Sequence, residues 1–270
     1  MSVWFVTGAS RGLGAEIARV ALAAGHEVVA TARDRMAIPA ASLALALDVT
    51  DKAQAAAAVE AAVARFGRID VLVNNAGHGL LGAVEETSDE EVRAVFETNV
   101  FGLLNVTRAV LPVMRHQRAG HVLNMSSVGG FTQGAGWGVY GATKFAVEGL
   151  SEALHFELAP LGVHVTVVEP GLFRTDFLDP SSLRLTEAEI GDYAGTAGTM
   201  RGGAASWNHS QPGDPAKAAA VLLEVVASPN PPTRIQLGAD SVARVEDKLR
   251  IVREELATWR ARSLSTDHTR

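Results

Sequence analysis

The chain has 270 residues, of which 47% are hydrophobic and 20% charged, a composition that suits one large globular domain or two small ones. Its net charge of -6, without any run of lysine and arginine, argues against nucleic acid or an anionic membrane as a partner. The absence of cysteine excludes disulfides and thiolate metal sites, and no histidine pair has metal-ligand spacing, so we expect a small-molecule partner and no metal.

The first residues lead directly into an apolar strand, Val3–Thr7, without the charged region or the long apolar core of a signal peptide. No apolar run reaches the ~20 residues that a membrane-spanning helix needs. We therefore expect a cytoplasmic protein that has no membrane partner.

This strand is followed by the glycine turn Gly8-Ala-Ser-Arg-Gly12-Leu-Gly14 and by good helix sequence over Ala15–Ala24. Glycines let the backbone approach a ligand, and the first turn of a helix offers free N–H groups with a partial positive charge. The order strand, turn and helix predicts a binding site for a pyrophosphate. The glycine spacing is not the common Gly-x-Gly-x-x-Gly, and no P-loop Gly-Lys-Ser/Thr is present.

A second strand over Glu27–Thr31 leads to Ala32-Arg33-Asp34. In dinucleotide folds an acidic residue after this strand binds the ribose hydroxyls, whereas an arginine accommodates a 2′-phosphate. Arg33, together with Arg11 of the glycine turn, could clamp that phosphate through charge-assisted hydrogen bonds, which favours NADP(H) over NAD(H). Two alternatives stay open: both arginines are simply solvated, or Asp34 binds the ribose.

Three further segments continue the alternation of strands and helices. Leu43–Val49 predicts a strand whose Asp48 meets the adenine edge, and Lys52–Phe66 predicts an alanine-rich helix. Asp70–Asn74 predicts a fourth strand, which leads into the turn Asn74-Asn-Ala-Gly77.

The apolar run His121–Met125 predicts a buried strand that ends just before Ser127. Tyr140 and Lys144 follow, and residues four apart on a helix share a face, so both should point into one cleft. A nearby ammonium lowers the pKa of a phenol from its reference of about 10, which would make Tyr140 a general acid or base. A Tyr-x-x-x-Lys motif is common by chance, so the pair alone does not identify a site.

The segment 176–213, after the predicted strand Gly162–Val168, combines many glycines with bulky apolar residues such as Trp207. It is too glycine-rich for rigid packing, and we interpret it as a lid that closes over the substrate. A variable surface loop is the alternative.

Arg234–Gly238 predicts the last strand, and residues 241–262 an amphipathic helical extension of the same domain. This helix could cover the edge of the sheet, fold over the substrate mouth or pack on the body of the domain. Residues 263–270 are expected to form a disordered tail. The apolar positions of the helix recur at alternating spacings of three and four: Val242, Val245, Leu249, Val252, Leu256 and Trp259.

Seven motifs follow one another along the chain: Thr7-Gly8-x-x-x-Gly12-x-Gly14, Asp48-Val49, Asn74-Asn-Ala-Gly77, Asn99, Ser127, Tyr140-x-x-x-Lys144 and Pro170-Gly171. In the order and spacing of these motifs, the chain resembles the one-domain branch of the short-chain dehydrogenase/reductase family from Val3 to about Gly238. The resemblance implies a single α/β domain, residues 1–240, with a Rossmann-type, doubly wound, parallel seven-stranded sheet and helices on both faces.

The resemblance also implies catalytic roles. Ser127 would polarise the substrate carbonyl, Tyr140 would transfer the proton, and Lys144 would bond the nicotinamide ribose and lower the tyrosine pKa. Asn99, in a long helix starting near Ser88, would bind a water through its main chain and relay protons to Lys144. The implied cofactor contacts are Gly8, Ser10, Arg11, Gly12, Leu13, Gly14, Arg33, Asp48, Val49, Asn75, Ala76, Gly77, Tyr140, Lys144, Pro170, Gly171, the backbone around Phe173 and the hydroxyl of Thr175.

The sequence thus predicts an NADP(H)-dependent oxidoreductase that interconverts a ketone or aldehyde with an alcohol. The stretches Asn99–Gly102, Gly138–Tyr140 and Pro170–Thr175 resemble 17β-hydroxysteroid and retinol dehydrogenases, so a bulky apolar substrate is expected, whether steroid-, retinoid- or polyketide-like. A non-catalytic NADP-binding regulator and an epimerase or dehydratase are the alternatives. The family resemblance implies a homodimer or homotetramer that pairs through helices near 88–116 and 138–160.

Overall fold

The computed structural model describes residues 1–268, and its central element is a parallel seven-stranded sheet in the order β3-β2-β1-β4-β6-β7-β9. A separate two-stranded parallel sheet pairs β5 with β8. The strands are β1 (Val3–Thr7), β2 (Glu27–Ala32), β3 (Leu43–Ala46), β4 (Val71–Asn74), β5 (Gly79–Leu81), β6 (Gly120–Met125), β7 (Val163–Pro170), β8 (Leu183–Leu185) and β9 (Arg234–Leu237).

Helices cover both faces of the large sheet because alternate residues of a strand point to opposite sides. On β1, Trp4 and Val6 pack against α1 and α7, whereas Val3 and Phe5 pack on the side of α2 and α4. The predicted doubly wound α/β fold is confirmed. The helices are α1 (Gly12–Ala23), α2 (Lys52–Phe66), α3 (Asp89–Phe96), α4 (Leu103–Gln117), α5 (Gly138–Leu158), α6 (Thr199–Trp207), α7 (Pro215–Ala227) and α8 (Ala239–Leu264).

Several element boundaries differ from the sequence-based expectation. The third strand ends at Ala46, three residues early, because the chain leaves the sheet toward the cleft. The helix expected over 88–116 is split into α3 and α4 by a π-helical turn over Glu97–Gly102. The helix α7 was not predicted at all.

The segment 176–213 is more ordered than its glycine content suggested. A small apolar core joins this segment to Leu81 of β5. Its members from the segment are Leu178, Leu183 of β8, and Ala204 of α6. A buried ion pair between Arg201 of the segment and Glu86 (2.6 Å) ties the segment to the rest of the domain. The expectation that glycines prevent rigid packing here is therefore wrong, since long-range partners hold the segment.

The C-terminal helix α8 also differs from the expectation. It runs to Leu264, so the first two residues of the predicted disordered tail are helical, while residues 269 and 270 lie outside the described residues. Within residues 1–268, no helix combines the length and the hydropathy that crossing a membrane requires.

Candidate active site

A cleft of about 1070 Å³ lies at the carboxyl ends of the parallel strands. Ligands of doubly wound sheets bind at this edge, near the place where the strand order reverses. Seventeen of the predicted cofactor contacts line it: Gly8, Ser10, Arg11, Gly12, Leu13, Arg33, Asp48, Val49, Asn75, Ala76, Gly77, Tyr140, Lys144, Pro170, Gly171, Phe173 and Thr175.

The glycine turn between β1 and α1 forms the floor of the cleft. Gly8 and Gly12 have φ angles of +65° and +57°, which disfavour residues with a side chain. A Cβ atom on Gly8 would lie 2.9 Å from the Cα of Ala76, so the turn and the β4 exit touch through bare backbone. This surface of backbone before a helix N-terminus fits the pyrophosphate of a dinucleotide.

Gly14 is the one predicted cofactor contact that does not line the cleft. It lies in the first turn of α1, directly against the side chain of Asn75 and the carbonyl of Gly8. The Asn75 amide donates to the carbonyls of Thr7 (2.9 Å) and Gly8 (3.0 Å). Gly14 therefore leaves space for the Asn75 side chain that stabilises the turn, and it does not face the cleft.

The end of β2 places Arg33, and not Asp34, on the wall of the cleft. The strand ends at Ala32, so Arg33 is the first residue beyond it. The Asp34 carboxylate instead accepts a hydrogen bond from the Met36 amide (2.9 Å) and caps a short 3-10 helix. The ribose-binding alternative for Asp34 is disfavoured, because its side chain caps the short helix and does not line the cleft.

Ser127, Tyr140 and Lys144 meet at the centre of the cleft. The Lys144 ammonium lies 5.7 Å from the centre of the Tyr140 ring and donates a hydrogen bond to the Met125 carbonyl (2.9 Å). The Ser127 hydroxyl accepts from the Gly129 amide (3.0 Å) and interacts with the Tyr140 phenol. The predicted convergence of the three groups is therefore present.

Burial dominates the acid–base properties of this group. It raises the pKa of Tyr140, and the interaction with Ser127 opposes the shift only in part. Burial also lowers the pKa of Lys144 to about 8, partly offset by the Glu148 carboxylate. The expected lowering of the tyrosine pKa by Lys144 is thus not what this geometry produces, because desolvation disfavours both charged forms.

Lys144→Met should raise the stability of the cofactor-free protein. In the unfolded chain the pKa of Lys144 is near 10.5, whereas in the folded protein it is about 8. Between about pH 8 and pH 10.5 the unfolded chain therefore binds more protons than the folded one, and the free energy of unfolding of the wild-type protein rises with pH. Below pH 8 the folded state bears the whole cost of the buried charge, about 3 kcal/mol. The Met125 carbonyl loses its donor, which costs about 1 to 3 kcal/mol, so we expect urea unfolding at pH 7 to show a net gain of up to about 2 kcal/mol.

The gain from Lys144→Met should shrink at about pH 9.5, where the wild-type lysine is largely neutral. Lys52→Met, a change at an exposed lysine, serves as the matched control. A Lys144→Met protein that is less stable than wild type at both pH values would contradict a dominant desolvation cost.

Asn99 lies behind the cleft wall and not on it. It belongs to the π-helical turn, and such turns often occur at functional sites. Its amide donates to the His78 carbonyl (3.0 Å) and to the Thr143 hydroxyl (3.1 Å), and its oxygen accepts from the His78 amide (3.0 Å). Asn99 therefore ties the β4 exit to α5 and so positions both walls. Its main-chain proton relay stays a prediction.

Two buried carboxylates behind Lys144 were missed by the sequence analysis. Glu148 follows Lys144 by one helical turn, and Glu169 lies at the end of β7. Both contact Arg234, whose Nε lies 3.0 Å from Glu148 and 2.8 Å from Glu169. Burial raises the pKa of both, to about 7 for Glu169. Because Glu148 follows Lys144 by four residues on a helix, the sequence alone could have predicted that the two side chains lie close together.

The substrate side of the cleft is largely aromatic. The Tyr140 ring lies between Trp137 and Phe177, each with its centre 5.7 Å away. Met200 and Trp207 of α6 complete this wall, so part of the predicted lid faces the phenol. Wall residues that the sequence analysis did not single out include Gln133, Trp137, Phe177, Arg184, Gln211, Ala243, Arg244 and Asp247.

Comparison with known proteins identifies relatives over most of the chain. The family model described as short chain dehydrogenase matches residues 2–185. A 3-ketodihydrosphingosine reductase of Bacteroides thetaiotaomicron is 39% identical over 86% of both chains. The crystal structure of a short-chain dehydrogenase from Streptomyces avermitilis has a TM-score of 0.91 and 43% identity, covering 99% of this chain and all of that one. A relative from Burkholderia phymatum, solved in complex with NAD, has a TM-score of 0.81 and 26% identity, covering 100% and 96%.

Proposed function

The chain belongs to the short-chain dehydrogenase family of oxidoreductases, and from this premise we propose that it reduces bulky apolar ketones or aldehydes with NADPH. The observation that carries the proposal is the meeting of Ser127, Tyr140 and Lys144 beside an aromatic wall. The Bacteroides relative is named for the reduction of a keto compound, which supports the same reaction class. NADPH consumption with a panel of cyclic ketones, long-chain ketones, steroids and aldehydes tests it directly.

The residues of the cleft fit a nicotinamide dinucleotide. The glycine turn offers bare backbone at a helix N-terminus, and Gly77 leaves space that a Cβ would fill at 3.0 Å from Asn99 Oδ1. Lys144 and the backbone around Phe173 would hold the nicotinamide end, with Arg33 and Arg11 at the adenosine end. A bound NADPH would supply the hydride to the carbonyl carbon.

The protein's own contribution is proton transfer and orientation. The Ser127 hydroxyl donates a hydrogen bond to the substrate carbonyl oxygen, and the Tyr140 phenol gives its proton to that oxygen as the alcohol forms. Because burial raises the Tyr140 pKa, the phenol is protonated at neutral pH and ready to act as an acid. The protonated phenol is the form that carbonyl reduction requires.

Preference for NADP(H) is supported by the position of Arg33 at the cleft wall. Arg11 has a second contact, since its Nη2 donates to the Ser181 carbonyl (2.7 Å) of the segment above the turn. A guanidinium can bind a phosphate through two parallel hydrogen bonds, whereas the ribose hydroxyls of NAD would prefer the acidic side chain that is turned away here.

Trp207→Ala should weaken the binding of bulky substrates without changing cofactor binding. The Trp207 ring lines the cleft and lies close to Gly203, whose Cβ would meet it at 3.1 Å. Losing its contact with an apolar substrate should raise KM about tenfold, the equivalent of roughly 1.5 kcal/mol of lost burial. Steady-state kinetics with a bulky and a small carbonyl measure this, with Trp207→Phe as the control. A weaker Kd for NADPH would contradict the role of this segment as a substrate lid.

Self-association through α4 and α5 remains part of the proposal. Phe145 and Phe156 of α5 and Phe101 before α4 expose large apolar side chains, which supports a homodimer or homotetramer through these helices. The regulatory alternative has less support, because Ser127, Tyr140 and Lys144 are all present and face the cleft.

A further inference from the structure

The apolar stripe of α8 is exposed along most of its length. Val242, Leu249, Val252, Leu256 and Trp259 are 43 to 61% exposed, and only Val245 is buried, at 8%. Of the arrangements left open for this helix, packing on the body of the domain holds only for its first two turns. Apolar side chains on a helix that leaves its own domain indicate a surface for a partner.

The start of α8 is firmly attached to the domain, so the helix has a defined direction. The Ser241 hydroxyl donates to the Glu169 carbonyl (2.8 Å), and the Asp240 carboxylate accepts from the Leu172 amide (2.8 Å). Arg244 donates to the Thr132 carbonyl (3.0 Å). From Val252 to His268 the described residues are all exposed.

The spacing of the stripe indicates that the partner is another α-helix. Its six positions alternate by three and four residues, which is the a and d pattern of a heptad repeat and the narrow seam of a coiled coil. Two ion pairs of Arg250, with Asp247 (2.6 Å) and Glu254 (3.0 Å), lie on the opposite face of the helix. The seam is thus free of the helix's own salt bridges.

We propose that α8 binds the α8 of a second copy of this chain in an antiparallel pair. The stripe is symmetric about its centre, so antiparallel pairing places Leu249 opposite Val252, and it places Val245 and Val242 opposite Leu256 and Trp259. Each apolar position then faces another apolar position. Val245 already packs on its own domain, so Leu256 of the second copy would rest at the edge of that contact.

The charged residues beside the apolar stripe of α8 favour antiparallel over parallel pairing. With Val242 at position a, Glu246 and Arg253 occupy e, while Lys248 and Glu255 occupy g. Antiparallel helices bring e beside e and g beside g, which pairs Glu246 with Arg253 and Lys248 with Glu255, each twice. Parallel helices would bring Lys248 beside Arg253, where like charges repel, and Glu255 beside Arg260, where opposite charges attract, so these contacts offset each other and leave the antiparallel pair favoured. Within residues 1–268 the four side chains that pair in the antiparallel arrangement form no salt bridge of their own.

This surface is distinct from the pairing of α4 and α5, and it lies near the cleft. Ala243, Arg244 and Asp247 line the cleft mouth, so a second helix on the seam would lie beside the entrance. The mixed charges of α8 differ from the basic polar face of helices that lie on anionic membranes. The seam covers fewer than three heptads, so we expect a weak pair with a Kd in the micromolar range.

Cysteine cross-linking tests the pairing, because the chain contains no cysteine. Val242→Cys and Trp259→Cys proteins, carrying different tags, are mixed and oxidised. Antiparallel pairing predicts a mixed dimer, whereas two copies of either variant alone hold their thiols about 25 Å apart, too far for a disulfide. A parallel pair would cross-link each variant with itself and would overturn the orientation.

Sedimentation at tens of micromolar protein provides a second measurement. Leu249→Lys with Leu256→Lys changes only exposed positions and should weaken this association more than 100-fold, halving the mass of the assembly. Leu185→Lys, an exposed leucine of β8, is the control. Glu246→Arg should weaken association about tenfold, and adding Arg253→Glu should restore it. An unchanged mass in the double lysine variant, together with no mixed cross-link, would overturn the proposal.

A membrane partner is the competing outcome. Vesicles of phosphatidylcholine and phosphatidylglycerol are sedimented with wild-type protein and with the double lysine variant. Wild-type binding that the variant loses, without any mixed cross-link in solution, would replace self-pairing by membrane binding. No vesicle binding, with a mixed cross-link, supports the antiparallel pair.

Discussion

Tyr140→Phe is expected to reduce kcat for carbonyl reduction by about 10³-fold, within the range that a positioned general acid contributes. The change removes one hydroxyl from a buried ring whose other contacts, with Trp137 and Phe177, are apolar and remain. The other tyrosine, Tyr193, cannot replace Tyr140, because its phenol donates a hydrogen bond to Glu85 at the surface. Turnover of the best substrate from the carbonyl panel, followed by NADPH absorbance, measures the loss.

The control for Tyr140→Phe is cofactor binding. The Kd for NADPH, measured by fluorescence, should stay within about threefold of wild type, because the glycine turn and Arg33 are unchanged. Loss of both turnover and binding would mean that Tyr140 supports the fold of the cleft. Unchanged turnover would overturn its role as the proton donor and would favour the regulatory alternative or another acid.

Arg33→Asp should change the ratio of kcat/KM for NADPH over NADH by about 10²- to 10³-fold toward NADH. A hydrogen bond to a charged group contributes about 1.5 to 3 kcal/mol, so losing the guanidinium weakens binding of the 2′-phosphate about 10- to 100-fold. The new carboxylate repels the 2′-phosphate of NADPH and can accept hydrogen bonds from the ribose hydroxyls of NADH. These two effects account for the rest of the expected change in the ratio.

Arg35→Asp is the matched control for Arg33→Asp. Arg35 carries the same charge two residues away, but it is exposed on the short helix and does not line the cleft. The control should therefore leave the ratio within about threefold of wild type. Equal losses with both cofactors in Arg33→Asp, or equal effects of the two variants, would contradict a specific contact with the 2′-phosphate.

Local signals explain why some elements were predicted to the residue. Lys52–Phe66 is helical as expected, because Asp51 caps its first turn and Gly67 ends it with a φ of +76°. The same reasoning was available for α7, where Asp214 caps the helix and Pro215 occupies its first position. That helix was missed although its sequence signal was present.

The charge state of the site shows the limit of such signals. The four-residue spacing of Tyr140 and Lys144 correctly placed both side chains in one cleft. It also suggested that the ammonium would lower the tyrosine pKa. The opposite direction in the structure comes from burial by Trp137, Phe177 and the surrounding strands, and burial depends on chain segments far apart in sequence.

The sequence by itself determined the alternation of strands and helices, the glycine turn and the spacing that brings Tyr140 and Lys144 onto one helix face. These depend on periodicity and backbone conformation, which neighbouring residues control. Only the tertiary structure decided that Arg33 reaches the cleft while Asp34 does not, and that the stripe of α8 stays uncovered. Exposure, desolvation and the partner of each polar group arise from contacts between distant segments, and local sequence does not encode those contacts individually.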